Sequence, residues 1–254
     1  MMRFAYLGSG SKGNSAVIEA DGTRVLLDCG FGLRDAEMRL QRLDLSAADL
    51  DAILVTHEHD DHLGGVARLA RRHQIPVWLT GGTLAAWRDA PLELVRCISP
   101  HERFVIDDLQ IQPYPVPHDA HEPCQYVFSD GARRVGVLSD AGSVTPHMRE
   151  MLTACDALLI EFNHDAEMLQ NGPYPESLKR RVGGSRGHLS NVQAAGLLSS
   201  IDCSRLRHLA LAHLSTTNNT PQLALALAAE ALGCTPDWLV CADQDAGLDW
   251  RQLS

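Results

Sequence analysis

The chain has 254 residues, 45% hydrophobic and 21% charged, which supports one sizeable core and excludes wholesale disorder. Its formal net charge of −10 argues against a protein that coats nucleic acid, but not against one that meets a phosphodiester through metal ions and a local basic patch. No apolar run approaches the roughly 20 residues of a membrane helix, no signal-peptide pattern opens the chain, and seven dispersed cysteines without a CxxC pair fit reduced thiols in a cytoplasm.

In chain order, residues 3–7, 15–20 and 23–28 read as strands, with Asp21-Gly22 as a hairpin turn between the last two. Between the first two lies Gly8-Ser9-Gly10-Ser11-Lys12-Gly13-Asn14, a polar loop without the Walker spacing of a nucleotide P-loop. Its backbone N–H groups, with Ser9, Ser11, Lys12 and Asn14, are candidate phosphate partners; a tight strand connection that needs glycine accounts for the loop equally well. Residues 33–43 have helical apolar spacing, 51–55 a buried strand, 64–73 a helix with an arginine-rich outer face, and 75–79 a strand. Residues 95–138 are strand-rich, with runs at 104–106, 109–114, 125–128 and 133–138. Helical patterns at 146–153, 166–170, 176–182, 191–201 and 221–232 then alternate with strands at 157–161, 207–213 and 238–240. No long linker or repeat divides the chain, so residues 1–254 are expected to form a single α/β domain with mixed sheets.

Chemistry concentrates in Thr56-His57-Glu58-His59-Asp60-Asp61-His62, at the exit of the strand at 51–55. Each of these groups is costly to bury alone, and a shared cation removes that cost. Other candidate ligands also sit where strands end: Asp28, His118, Asp140 and His213. Ligands gather at one set of strand ends in α/β sheets, so these side chains can meet at one edge.

In this order, Asp28, the HxHxDH motif of His57, His59, Asp61 and His62, then His118, Asp140 and His213 resemble the five motifs of the metallo-β-lactamase-fold hydrolase superfamily. The resemblance spans nearly the whole chain and implies a four-layer αββα sandwich with a binuclear centre at its edge. It implies that His57, His59 and His118 hold one divalent ion, that Asp61, His62 and His213 hold the other, and that Asp140 bridges them. Asp28 would orient the histidine cluster without touching metal. Two such ions share a hydroxide that attacks phosphorus or a carbonyl, with Asp61 orienting it. Mixed histidine and carboxylate ligands suit zinc, manganese or iron.

Asp140 stands where β-lactamases typically place a cysteine ligand, so antibiotic hydrolysis is not expected. His188, in Ser185-Arg-Gly-His-Leu-Ser190 before a helix, resembles the histidine of phosphodiesterase members that protonates or positions the leaving group; a structural loop histidine is the bland alternative. The glycine-rich loop, residues 161–169 and 171–175, and His213-Leu-Ser-Thr-Thr-Asn-Asn219 resemble the YycJ/WalJ branch, which implies 5′-to-3′ exonuclease activity on DNA. Phe162 departs from that branch, where a smaller residue is expected. His164 is read as a substrate contact. Lys179, Arg180, Arg181 and Arg186 form a basic run that supplies phosphate contacts, Arg186 foremost, or is a solvated helix face. The four tryptophans show no stacking pattern. Two other classes share the ligands: a thioesterase or glyoxalase-II-like ester hydrolase, and a non-catalytic regulatory protein stabilised by metal. The residues fix no oligomeric state and leave a homo-oligomer open.

Overall fold

The computed structural model describes residues 1–253. Its architecture follows from strands that are apolar on both faces. In β2 (Ser15–Ala20) and β3 (Thr23–Leu27), Ile18 and Val25 enter one core while Val17 and Leu26 enter another. Strand side chains alternate in direction, so such strands must be covered on both sides.

The first sheet runs β14 (Leu248–Leu253), β1 (Met2–Gly8), β2, β3, β4 (Ala52–Leu54), β5 (Val77–Thr80) and β6 (Val95–Ile98). The second runs β13 (Val240–Cys241), β12 (His208–Ala212), β11 (Ala157–Glu161), β10 (Arg134–Leu138), β9 (Cys124–Ser129), β8 (Leu109–Pro115) and β7 (Phe104–Ile106). Each sheet is half antiparallel and half parallel. Strands β14 to β3 pair antiparallel and β3 to β6 parallel. Strands β7 to β10 pair antiparallel and β10 to β13 parallel.

Phe4, Ile18, Tyr126 and Phe128 fill the space between the sheets. Leu40 of α1 (Leu33–Arg42) and Leu69 of α3 (Val66–His73) cover the first sheet against Leu26 and Ile53. On the second sheet, Leu152, Leu197 and Ala228 of α5 (Pro146–Leu152), α8 (Asn191–Ser199) and α9 (Pro221–Leu232) pack on Leu158 and Leu209. The order of layers is αββα. Each large apolar side chain removed from water contributes about 1.5–3 kcal/mol, so three such clusters dominate the folding energy.

Several elements differ from the sequence reading. The helix expected from residue 64 begins only at Val66 as α3, because Gly64 and Gly65 separate it from an unexpected short helix, α2 (Asp60–Leu63). At Gly65 the backbone passes so close to the Phe31 carbonyl that a Cβ would lie 1.8 Å from its oxygen. The strand expected at 238–240 begins only at Val240, since Pro236 starts a 3₁₀ turn through Trp238. Helix α4 (Gly81–Ala86) and edge strand β14 have no expected counterpart; β14 is rich in polar residues and lacks the apolar alternation that marks a strand. Phe162 is fully buried in the outer core of the second sheet, so its bulk does not reach the site cavity.

Candidate metal centre

The C-terminal ends of β3, β4, β8, β10 and β12 share one edge, and each strand delivers a histidine or aspartate just past its end. Three of these residues leave their strand in the left-handed conformation: Asp28 (φ 57°), Asp140 (φ 48°) and His213 (φ 52°). That region costs most L-residues about 1–2 kcal/mol, and Asp and His are among the side chains that enter it more readily. Held strain of this kind clusters at functional sites.

The polar network fixes which nitrogen each histidine presents. Thr56 Oγ1 donates to Asp28 Oδ2 at 2.8 Å and lies 2.9 Å from His57 Nδ1, so it accepts from that ring. His62 Nδ1 donates to Asp28 Oδ2 at 2.8 Å, and His118 Nδ1 donates to the Gly187 carbonyl at 3.0 Å. All three rings therefore turn Nε2 inward, free in His57 and His118 and engaged with Asp140 Oδ2 in His62. Burial and the neighbouring His62 push His57 well below its ordinary pKa and burial lowers His118, so both rings are neutral, whereas in His62 and His213 burial is outweighed by carboxylates, Asp140 foremost, which raise both.

His59 Nδ1 lies 3.1 Å from His57 Nε2 and 3.2 Å from His118 Nε2. One proton on His59 could serve only one of these lone pairs; a cation at the centre serves all three. Asp61 Oδ2 lies 3.6 Å from His62 Nε2 and 3.5 Å from His213 Nε2. Between the two groups sits Asp140, with Oδ2 at 2.5 Å from His62 Nε2 and 3.9 Å from His57 Nε2. Its Oδ1 is 2.8 Å from His213 Nδ1, yet this buried oxygen has no aligned hydrogen-bond donor. Burial would raise the Asp140 pKa; His213 and His62 outweigh it and hold the carboxyl well below its usual range. Donor atoms of His57, His59 and His118, and of Asp61, His62 and His213, each lie within 4.8 Å of one another. Converging lone pairs and an orphaned buried carboxylate oxygen fit divalent cations.

His188 lies in the segment between α7 (Glu176–Val182) and α8, with Nδ1 at 3.2 Å from Glu161 Oε2 and 2.9 Å from Asp140 Oδ1. Burial would lower its pKa, but Asp140 and Glu161 push it up to about 10. Glu161, which the sequence reading gave no role, is fully buried and also accepts from the Ala141 and Leu189 backbone N–H groups. It thereby joins the loops that bear Asp140 and His188. Its signal in the sequence is a carboxylate ending an otherwise apolar strand.

The remaining candidates divide by burial. Ser9 Oγ donates to Asn14 Oδ1 and accepts from the His213 N–H at 2.8 Å. Asn14 Nδ2 lies 3.3 Å from Asp61 Oδ2 and 3.1 Å from His62 Nε2. Both residues brace the histidine and aspartate cluster from behind. Ser11 and Lys12 are exposed, and Ser11 lines the site cavity. Arg186 is exposed and outside that cavity's lining. His164 lines a second cavity, with Lys179, Arg180 and Ser190; its Nδ1 lies 3.3 Å from Asn163 Oδ1, and burial pushes its pKa down to about 4. Arg181, one of the four basic residues the sequence offers as phosphate contacts, and Asp119, which the sequence did not single out, line the site cavity and form an ion pair at 2.6 Å.

The site cavity, of about 380 Å³, opens above Asp61, Asp140, His188 and His213. It is polar and leads to solvent. A family model described as "Beta-lactamase superfamily domain" matches residues 23–213, from β3 to the last histidine of the centre. Exodeoxyribonuclease YycJ of Bacillus anthracis is 34% identical over 231 residues, covering 88% of this chain and 86% of that protein. Exodeoxyribonuclease WalJ of Streptococcus pneumoniae serotype 2 is 32% identical, covering 87% and 85%. Among solved structures, the metallo-beta-lactamase fold protein YhfI from Bacillus subtilis superposes with a TM-score of 0.77 at 16% identity, over 99% of this chain and 100% of that one. Zn(2+)-bound PqqB from Methylobacterium extorquens does so with a TM-score of 0.73 at 20% identity, over 99% and 100%. The αββα fold, the motif order and these relatives together mean that the chain belongs to the metallo-β-lactamase superfamily, in the branch that holds YycJ and WalJ.

Proposed function

We propose that this protein is a metal-dependent phosphodiesterase that degrades DNA exonucleolytically from the 5′ end. The observation that carries the reading is the convergence of seven inward-facing histidine and aspartate side chains beneath an open polar cavity. The names of the two exodeoxyribonuclease relatives support DNA as the substrate. The site would hold two ions: His57, His59 and His118 around one, Asp61, His62 and His213 around the other, Asp140 between them. Zinc, manganese and iron all suit this donor set. Divalent cations there would bring the pKa of a water toward neutrality and offset the charge that builds on a phosphodiester.

The chain's own groups do the rest. Asp61 stands at the cavity wall and orients the attacking water. His188 is tied through Nδ1 to Glu161, which leaves Nε2 to give a proton to the departing oxygen. Residues 1–254 act as one unit in this reading, because both sheets feed one intersheet core and both supply site residues. A cytoplasmic setting suits the seven unpaired cysteines.

The test is elemental analysis of purified protein, together with end-labelled single- and double-stranded DNA and RNA, each with and without a 5′-phosphate. Bound divalent metal and shortening of DNA from the 5′ end are expected. Metal-replete protein inert to every polynucleotide would overturn the reading. His188→Ala should cut turnover while metal content holds; loss of both together would make His188 structural.

A further inference from the structure

The site cavity is acidic. Asp60, Asp61, Asp119 and Asp140 line it, and among the described residues Arg181 is its only lysine or arginine. A polyanion entering this cavity on a chain of net charge −10 needs a positive group besides the metals.

Arg181 is placed for that task. Its Nε donates to Asp119 Oδ2 at 2.6 Å, and its two Nη groups have no hydrogen-bond partner among the described residues. The other carboxylate oxygen, Asp119 Oδ1, lies 3.4 Å from His118 Nε2 and 3.9 Å from His59 Nε2. One carboxylate thus ties the guanidinium to the first metal group. The backbone makes the same connection. His188 N donates to the Val182 carbonyl at 2.8 Å, and the Gly187 carbonyl accepts from His118. Gly187 runs so close to the end of α7 that a Cβ would lie 2.1 Å from the Arg181 carbonyl oxygen. The arginine therefore stands on a segment stitched to the metal residues. Its side chain is 58% exposed and that of Asp119 32%. An ion pair this exposed adds little to stability, so stability does not explain the arrangement.

We propose that Arg181, oriented by Asp119, is a positioning residue that receives a DNA phosphate next to the scissile one. With Nε engaged, the two Nη groups form a paired donor edge matched to phosphate oxygens, which a lysine could not offer. Of the basic run, Lys179 and Arg180 face the neighbouring cavity and only Arg181 faces this one. The inference rests on the phosphodiesterase reading above.

The test uses metal-loaded protein with two probes: a 5′-phosphorylated single-stranded DNA, and the same DNA made uncleavable with phosphorothioate linkages. Arg181→Ala should raise KM for DNA at least tenfold while kcat changes less than threefold and metal content stays constant. For the uncleavable strand, the slope of log affinity against log salt should fall by about 0.7, the loss of one phosphate contact. Asp119→Ala removes the acceptor for Nε and should raise KM toward that of Arg181→Ala, and Asp119→Asn, which keeps a neutral acceptor, should fall between Asp119→Ala and the native protein. Unchanged KM and salt slope in Arg181→Ala would overturn the proposal, as would a fall in bound metal that accounts for the lost activity. Native protein that binds the strand without cutting DNA would refute the nuclease reading, and the salt slope would still decide the role of Arg181. Native protein that binds no DNA would refute both.

Discussion

Ser9 and Ser11 are the same residue type, two positions apart in one glycine-rich loop, and they face different worlds. Ser9 is buried, with its hydroxyl between Asn14 and the His213 backbone. Ser11 is exposed on the wall of the site cavity, beside the exposed Lys12. The same division runs through the whole site. Its floor is made of buried groups held in place by one another, and its rim of exposed groups that a ligand can reach. The floor sets what chemistry can occur; the rim sets what is brought to it.

The largest expected effect comes from the floor. Asp140 touches both groups of ligands, so Asp140→Ala removes the one carboxylate that faces His57, His62, His188 and His213 together. DNA hydrolysis should fall by about 10³-fold or more, the upper range for losing one preorganised group, and bound metal should fall with it. End-labelled DNA assays and elemental analysis on one preparation check both. Retained metal with full activity would erase the distinction between floor and rim.

Asp28→Asn probes the floor one bond further out. Asn tolerates the left-handed backbone that Asp28 adopts, so the chain path survives. It loses the carboxylate that accepts from Thr56 N, Thr56 Oγ1 and His62 Nδ1. Metal affinity should drop about 10–100-fold, as when the partner of a ligating histidine is lost. Competition with a chromophoric chelator measures it. The melting temperature of metal-loaded protein should fall as well, because ligand binding stabilises only the folded state.

Floor and rim also differ in how far the sequence disclosed them. His57, His59, Asp61 and His62 fall within one short segment, and Asp28, His118, Asp140 and His213 follow apolar runs, so all stand at strand ends, where the motif order that resembles the superfamily implies a shared edge. Strands that are apolar throughout foretell cover on both faces. The rim depends on finer geometry. His164 sits where residue number places it beside the centre, yet its carbonyl accepts from Asn191 N and its ring turns to the neighbouring cavity. Ser9 and Asn14 have the chemistry of phosphate contacts, but their local backbone turns both side chains inward. Arg181 and Asp119 are 62 positions apart, and nothing local signals their pairing. Edge strand β14 is held by pairing with β1, and its own residues, among them Asp249, Arg251 and Gln252, do not show it.

A smaller effect is expected from Ser9→Ala. It leaves the buried His213 N–H without its acceptor and Asn14 Oδ1 without one of its two donors. A buried group left without a partner costs about 1–3 kcal/mol, so urea denaturation should show a loss of stability of that order. KM for DNA should stay near the native value, because Ser9 does not face the cavity. A large rise in KM with unchanged stability would move Ser9 from floor to rim.

Lys12→Ala should have the smallest effect and the opposite signature. The Lys12 side chain makes no hydrogen bond among the described residues; only its backbone N–H is engaged, with Gln244 Oε1 at 2.8 Å. Removing the ammonium group leaves that anchor, the loop and the metal residues in place, so stability and bound metal should not change. A flexible, exposed lysine meets phosphate as a point charge, and its loss weakens binding uniformly across sequences. KM for DNA should rise about two- to fivefold at low salt, and the difference should vanish as salt screens the contact. The measurement is KM for one single-stranded DNA at several salt concentrations, for native protein and variant in parallel. Identical salt dependence in the two would mean that DNA enters from the Arg181 wall and leaves the glycine-rich loop in solvent.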